Sequence, residues 1–136
     1  MDNAKKMEFL SQYCDFWGHL NEEDKAFVCR NTEVISYHPG QNIHSADTQC
    51  IGVLFVKSGC LRVYIMSEEG KEVTLYRVSP GEVCILSASC VLSEITFDVY
   101  VDAEELSQAV VLNAFAFSKL IEKNIYVENF SNKMKA

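Results

Sequence analysis

Cys84 and Cys90 stand six residues apart in the segment CILSASCVLSEITF, residues 84–97, with the hydroxyls of Ser87, Ser89 and Ser93 around them. Two thiols in one short stretch could oxidise reversibly or ligate a soft metal. The hydroxyls could instead hold a bound ligand. The plainer reading is a buried turn in which cysteine acts as a small apolar filler. The spacing matches no structural zinc site, because those pair cysteines about two to four residues apart. If Ser87–Leu92 forms a helical turn, its free backbone N–H groups make an end that favours anions and activates a thiol. Cys84 and Cys90 are therefore the candidate redox thiols. No metal site and no cofactor are expected.

Aromatic residues offer a different chemistry. Tyr64, Tyr76, Phe97 and Tyr100 fit either a β core or a ligand platform. Phe55, Tyr64 and Tyr76 could line a mouth suited to a mostly apolar ligand. His38 and His44 flank a turn and His19 ends a helix. They read as turn or surface residues. No Ser/His/Asp arrangement and no glycine-rich phosphate loop is present, so the chain is not expected to be an enzyme.

These groups must be positioned by a chain of 136 residues, a length that suits one domain. Hydrophobic residues are 49% and charged residues 23%, a globular balance. The formal charge of −7 opposes any grip on phosphate backbones. Apolar runs such as Ile51–Val56 are too short to cross a membrane. No secretion signal is expected from the opening residues MDNAKKMEF, which show no apolar run followed by a cleavage site. The expected compartment is the cytoplasm, with six reduced cysteines.

Periodicity divides the chain into three zones. Residues 3–30 read as helical, with Met7, Leu10, Cys14 and Trp17 on one face and Gly18 as a stop. A second helix starts at Asn21, which can cap it ahead of Glu22, Glu23 and Asp24. Residues 32–112 read as strands: Thr32–Tyr37, Ile51–Lys57, Leu61–Met66, Glu72–Val78, Ile95–Val101 and Ala109–Leu112. Pro39-Gly40 and Pro80-Gly81 suit type II turns. Leu61, Val63 and Ile65 alternate with Arg62, Tyr64 and Met66, which predicts one buried face. Residues 113–135 are helical again, with Asn113 as cap and Asn124 as a break. The fold class expected is mainly β, a sandwich or barrel flanked by N- and C-terminal helices, which the resemblance below narrows to a jelly roll.

The order of these zones resembles the N-terminal sensor domain of the Crp/Fnr family of transcription regulators, a cyclic-nucleotide-binding-type double-stranded β-helix. The residues that carry the resemblance are YHPGQNIHSAD at 37–47, LFVKSGCLRVY at 54–64, SEEGKEVTLYRVSPGE at 67–82, VDAEE at 101–105 and AFSKLIEKN at 116–124. The resemblance implies a binding cassette after the second Pro-Gly turn. There the family's nucleotide binders place a Gly-Glu pair for the ribose and an Arg-Ser pair for the cyclic phosphate. Here those positions read Ile85-Leu86 and Phe97-Asp98. An aromatic replaces the cation, and a carboxylate stands beside it. A buried phosphodiester needs a charge-assisted partner. Arg62 and Arg77 are the nearest basic residues in sequence, and Arg77 could swing inward. The clustered cysteines of the family's iron–sulfur sensors are missing, since Cys14 stands alone in its helix.

The candidate pocket is therefore Tyr64, Tyr76, Cys84, Ile85, Leu86, Ser87, Ser89, Cys90, Phe97 and Asp98. The expected function is an effector-sensing regulatory domain that does not use cyclic AMP in the usual way. Its effector is a small molecule or a redox change that the sequence does not name. The resemblance implies that DNA is reached only through a C-terminal helix-turn-helix absent from this chain. It also implies a homodimer for a full-length regulator, though most of the dimer helix is absent here. One alternative is a true cyclic-nucleotide-binding domain with a non-standard phosphate cradle. Another is a metalloenzyme on the related cupin roll, although the His-x-His pair of those enzymes does not occur.

Overall fold

β-branched and aromatic residues alternating in short runs make strands, and one-sided apolar stripes at both ends make helices. The computed structural model describes residues 3–44, 52–85 and 99–134. In chain order these form α1 (Asn3–Tyr13), a 3-10 turn (Trp17–His19), α2 (Glu22–Arg30), β1 (Thr32–Tyr37), β2 (Asn42–His44), β3 (Gly52–Ser58), β4 (Leu61–Met66), β5 (Glu72–Val78), β6 (Val83–Ile85), β7 (Val99–Ala103), β8 (Ser107–Asn113), α3 (Ala114–Lys123) and α4 (Ile125–Met134). The strands pair in the orders β1-β8-β3-β6 and β2-β7-β4-β5. Every pair is antiparallel.

Two apolar cores result. Leu54, Val56, Ala109 and Val111 of the first sheet face Leu61, Val63, Val78, Val101 and Ala103 of the second, and fill the roll. The opposite face of the first sheet presents Val53, Phe55, Val110 and Leu112 to the helices, where they meet Leu10, Phe16, Val28, Phe117, Leu120 and Val127. Phe55 therefore belongs to the helical core and does not line the roll mouth. Its neighbours Leu54 and Val56 point the other way, as pleating requires.

The helix signals act as their chemistry suggests. Asn21 Oδ1 accepts from the Asp24 N–H at 2.7 Å. Asn113 ends β8 and caps α3, accepting from the Ala116 N–H at 2.8 Å while its amide donates to Asn31 Oδ1 at 3.2 Å. The first helix is shorter than its stripe predicts. It ends at Tyr13, so Cys14 and Trp17 are buried from a turn and Gly18 lies inside the 3-10 segment. Two short strands, β2 and β6, were not legible as runs. The last strand extends to Ser107–Asn113. Residues 95–98 of the strand expected at Ile95–Val101 lie outside the described residues, as does Ile51.

Both Pro-Gly turns are closed. The Gln41 N–H donates to the His38 carbonyl at 3.0 Å and the Glu82 N–H to the Ser79 carbonyl at 2.9 Å. Gly40 and Gly81 have φ of 82° and 88°, as the third position of a type II turn demands. The link from β3 to β4 is stricter. Gly59 has φ of 87°, and a Cβ there would lie 2.5 Å from Ser107 Cα and 2.6 Å from the Leu106 carbonyl oxygen. Gly59→Ala should lower unfolding free energy by about 2–4 kcal/mol, combining left-handed strain with overpacking. Urea denaturation checks this; an unchanged midpoint would contradict it.

Candidate functional site

The cassette segment follows β6 and precedes β7 in the sequence, so the described walls beside those two strands are the part of the candidate site that can be built from its residues. Cys84 pairs with Leu54, and both face the roll core. On the second sheet, Val63 pairs with Tyr76 and Leu61 with Val78. Leu61, Val63 and Val78 are all inside the roll. Tyr76 shares their face yet remains 54% exposed. Burial and the nearby Cys84 push its phenol above the ordinary value. Tyr76 and Cys84 thus lie near one another on the described wall. Ile85 lies in β6 opposite Val53. Leu86, Ser87, Ser89, Cys90, Phe97 and Asp98 lie outside the described residues.

Tyr64 is placed differently from Tyr76. It occupies the outward position of β4, between inward Val63 and partly buried Ile65. Its ring stacks on Tyr100 at 5.4 Å and carries the Arg62 guanidinium at 4.3 Å. Its hydroxyl donates to Asp102 Oδ2 at 2.9 Å, and Asn42 Nδ2 donates to the other carboxylate oxygen at 2.7 Å. This network buries Tyr64 to 4% exposure on a face away from the roll interior. Desolvation, with the Asp102 hydrogen bond, pushes its phenol up to about 12. The sequence reading missed Asp102 and Asn42. A cross-strand register was needed to see them, since they lie 38 and 22 positions from Tyr64 in the chain.

The arginines are the side chains best suited to hold a phosphate, and all of them lie among the described residues. The chain has three, Arg30, Arg62 and Arg77, and residues 86–98 contain no Lys or Arg but include Glu94 and Asp98. Arg62 and Arg77 are register partners, one residue out of step with the inward pairs, so both occupy outward positions. Arg62 donates to Thr74 Oγ1 at 2.8 Å and to Glu72 Oε1 at 2.7 Å. Arg77 Nε pairs with Glu104 Oε1 at 2.5 Å. The Arg77 hydrogen bond holds the Glu104 carboxyl below the ordinary carboxylate range. An inward swing of Arg77 is opposed both by its register and by Glu104. Arg30 ends α2 beside a cavity of about 370 Å³ at the β1 edge, across the sheet from β6.

Two four-stranded antiparallel sheets closed around an apolar core, with the helix–roll–helix order, match a known family. The model of the cyclic nucleotide-binding domain matches residues 34–124. The chain belongs to the cyclic nucleotide-binding domain family. Among solved structures it is similar to a transcriptional regulator of the Crp/Fnr family from Eubacterium rectale, at 35% identity and a TM-score of 0.83 over 90% of this chain. The chain spans 57% of that regulator's length. The sensor domain of the transcriptional regulator DNR from Pseudomonas aeruginosa shares the fold at 14% identity and a TM-score of 0.77, with 93% and 83% of the two chains covered. A regulatory subunit of a cAMP-independent protein kinase A from Trypanosoma cruzi, bound to guanosine, shares it at 17% identity and a TM-score of 0.74, with 96% and 45% covered. No curated protein sequence matches the chain.

In this cyclic nucleotide-binding domain burial raises each of the described thiols. Cys84 is 3% exposed, and burial pushes its thiol from 9.0 up to about 12. Cys14 is raised to about 12 as well, again by burial. Burial also raises Cys29 and Cys60, and the carboxylate of Glu104 adds to the effect at Cys60. Thiolate is the reactive species, and burial disfavours it at Cys84. Cys90 lies outside the described residues. His44 also departs from expectation. It is 5% exposed in β2, and burial pushes its imidazole down. Among the described residues, no three His, Cys, Asp or Glu side chains converge as a metal site would require.

Alkylation mapped by mass spectrometry should find Cys84 unmodified at about pH 8 until the protein is unfolded. Modification of Cys84 at the rate of a free thiol would contradict its placement. The raised groups also set a pH dependence. Folded Cys84 and Cys14 keep their protons to about pH 12, whereas unfolded thiols lose theirs near 9. The unfolded state therefore binds fewer protons above pH ~9, and stability should fall as pH rises from there. Urea midpoints at about pH 8 and pH 10 check the sign.

Proposed function

We propose that this chain is the effector-sensing domain of a Crp/Fnr-type transcription regulator, and that its effector is not cyclic AMP held in the usual way. The observation that carries the second half is the arginine inventory: two arginines occupy outward register positions in ion pairs, and the third is at the far edge of the first sheet. A desolvated phosphodiester without a cationic partner loses several kcal/mol relative to a paired one. A net charge of −7 adds to that cost. The Crp/Fnr similarity at 35% identity supports the regulatory half. The guanosine-bound neighbour supports a fold tolerant of ligands without a cyclic phosphate.

The chain acts as one sensing domain and catalyses nothing. In the full-length regulator, which works in the cytoplasm as a homodimer, DNA contact falls to a separate helix-turn-helix. Signal transfer needs two states with different effector contacts, and the effector shifts the balance by its differential affinity. No helix of the described residues is long and apolar enough to cross a membrane.

Isothermal calorimetry with cyclic AMP and cyclic GMP tests the effector reading. Neither should bind tighter than ~10 μM, an affinity of about 7 kcal/mol. Tighter binding of either would overturn it and restore the reading of a non-standard phosphate cradle.

A further inference from the structure

The effector reading leaves the chemistry of the ligand open, and β5 narrows it. β4 and β5 pair in step from Leu61/Val78 to Val63/Tyr76, then shift, so that Tyr64 meets Thr74 and Leu75 is the extra residue. This bulge changes which side chains face inward. Thr74 lies with outward Arg62 and Tyr64, and simple alternation would put Tyr76 outward beside it. The extra residue turns Tyr76 to the face of Val63 and Val78 instead. Bulges commonly re-aim a side chain in this way.

Tyr76 is the polar exception on this part of the wall. Leu61, Val63, Val78 and Cys84 around it are buried and carry no oxygen or nitrogen in their side chains. Among the described residues none forms a hydrogen bond with the Tyr76 hydroxyl. Tyr76 is 54% exposed, and Val73 and Leu75 on the same strand are each 49% exposed. β5 is the edge of its sheet, so these apolar surfaces are covered by no further strand of the described roll. Among the described residues, an apolar wall with one convergent hydroxyl and no inward arginine suits an uncharged ligand.

Building on the effector reading, we propose that Tyr76 is the specificity-determining residue of the effector site: its hydroxyl takes the single hydrogen-bonding group of an uncharged, largely apolar effector whose hydrocarbon part lies against the Tyr76 ring and Val73. An anionic analogue is rejected. It would meet no inward guanidinium, and desolvating its charge would go uncompensated. A neutral hydroxyl of the same length exchanges a hydrogen bond with water for one with Tyr76, and gains the apolar contact.

The test is a titration of the full chain, followed by amide chemical shifts, with 1-octanol, octanoate and cyclic AMP as probes. 1-Octanol should shift amides of Tyr76–Val78 and Val83–Ile85 saturably, and octanoate should bind at least about tenfold more weakly. Tyr76→Phe should weaken 1-octanol about five- to tenfold, with the urea midpoint unchanged. Equal binding of octanoate, or unchanged octanol binding by Tyr76→Phe, overturns the role of Tyr76. If neither 1-octanol nor cyclic AMP shifts β5 and β6, the Tyr76 proposal fails while the wider reading stands. If cyclic AMP shifts them at micromolar concentration, the wider reading fails and this proposal with it.

Discussion

The step between inward and outward positions on the β4–β5 hairpin is the constraint on which the functional account depends. Leu61, Val63 and Val78 are drawn inward by burial, and each is no more than 2% exposed. Pleating then leaves Arg62 and Arg77 no choice but the other face. Glu72, Thr74 and Glu104 meet them there. Bringing either guanidinium inward would break its ion pair and bury a charge among valines. A one-residue slip of the hairpin would exchange the two faces, but it would also expose the valines, so the apolar core and the outward placement of both arginines are enforced together.

Much of the fold was legible because its signals are local. The Pro-Gly turns, the Asn21 and Asn113 caps and four of the strand runs depend on residues close in sequence. The quoted segments from YHPGQNIHSAD to AFSKLIEKN carried the family resemblance, and the match over residues 34–124 confirms it. What was not legible depends on partners far along the chain. β2 and β6 are three residues each, too short to show a period, and exist because β7 and β3 pair with them. Alternation along β4 marked Tyr64 as opposite to Val63, but nothing local said that Asp102 and Tyr100 would bury it. Tyr76 faces inward only because of the bulge at Leu75, which no run of residue types announces.

The helices tie the roll into a larger block. Lys123 meets the largely buried Asp24 at 2.6 Å, Asn124 Nδ2 donates to the His19 carbonyl at 3.2 Å, and His19 stacks on Tyr126 at 3.8 Å. The break between α3 and α4 is thus fastened to the N-terminal segment by three side chains. Asn124 also caps α4, accepting from the Tyr126 N–H at 2.9 Å. The first sheet lies between this helical core and the roll core. Phe55 and Leu54, adjacent in β3, face one core each. A change in the roll and a change in the helices therefore share the backbone of a single strand.

The most direct test of the central claim is whether a cyclic phosphate finds positive charge in this roll. Phosphorus-31 resonances of cyclic AMP, followed while the protein is added at low ionic strength, report that contact without any assumption about the rest of the ligand. The account predicts neither a shift nor broadening beyond that of a non-binding phosphodiester. A saturable shift that Arg77→Ala or Arg62→Ala abolishes would show that an outward guanidinium reaches the site, and would contradict the account.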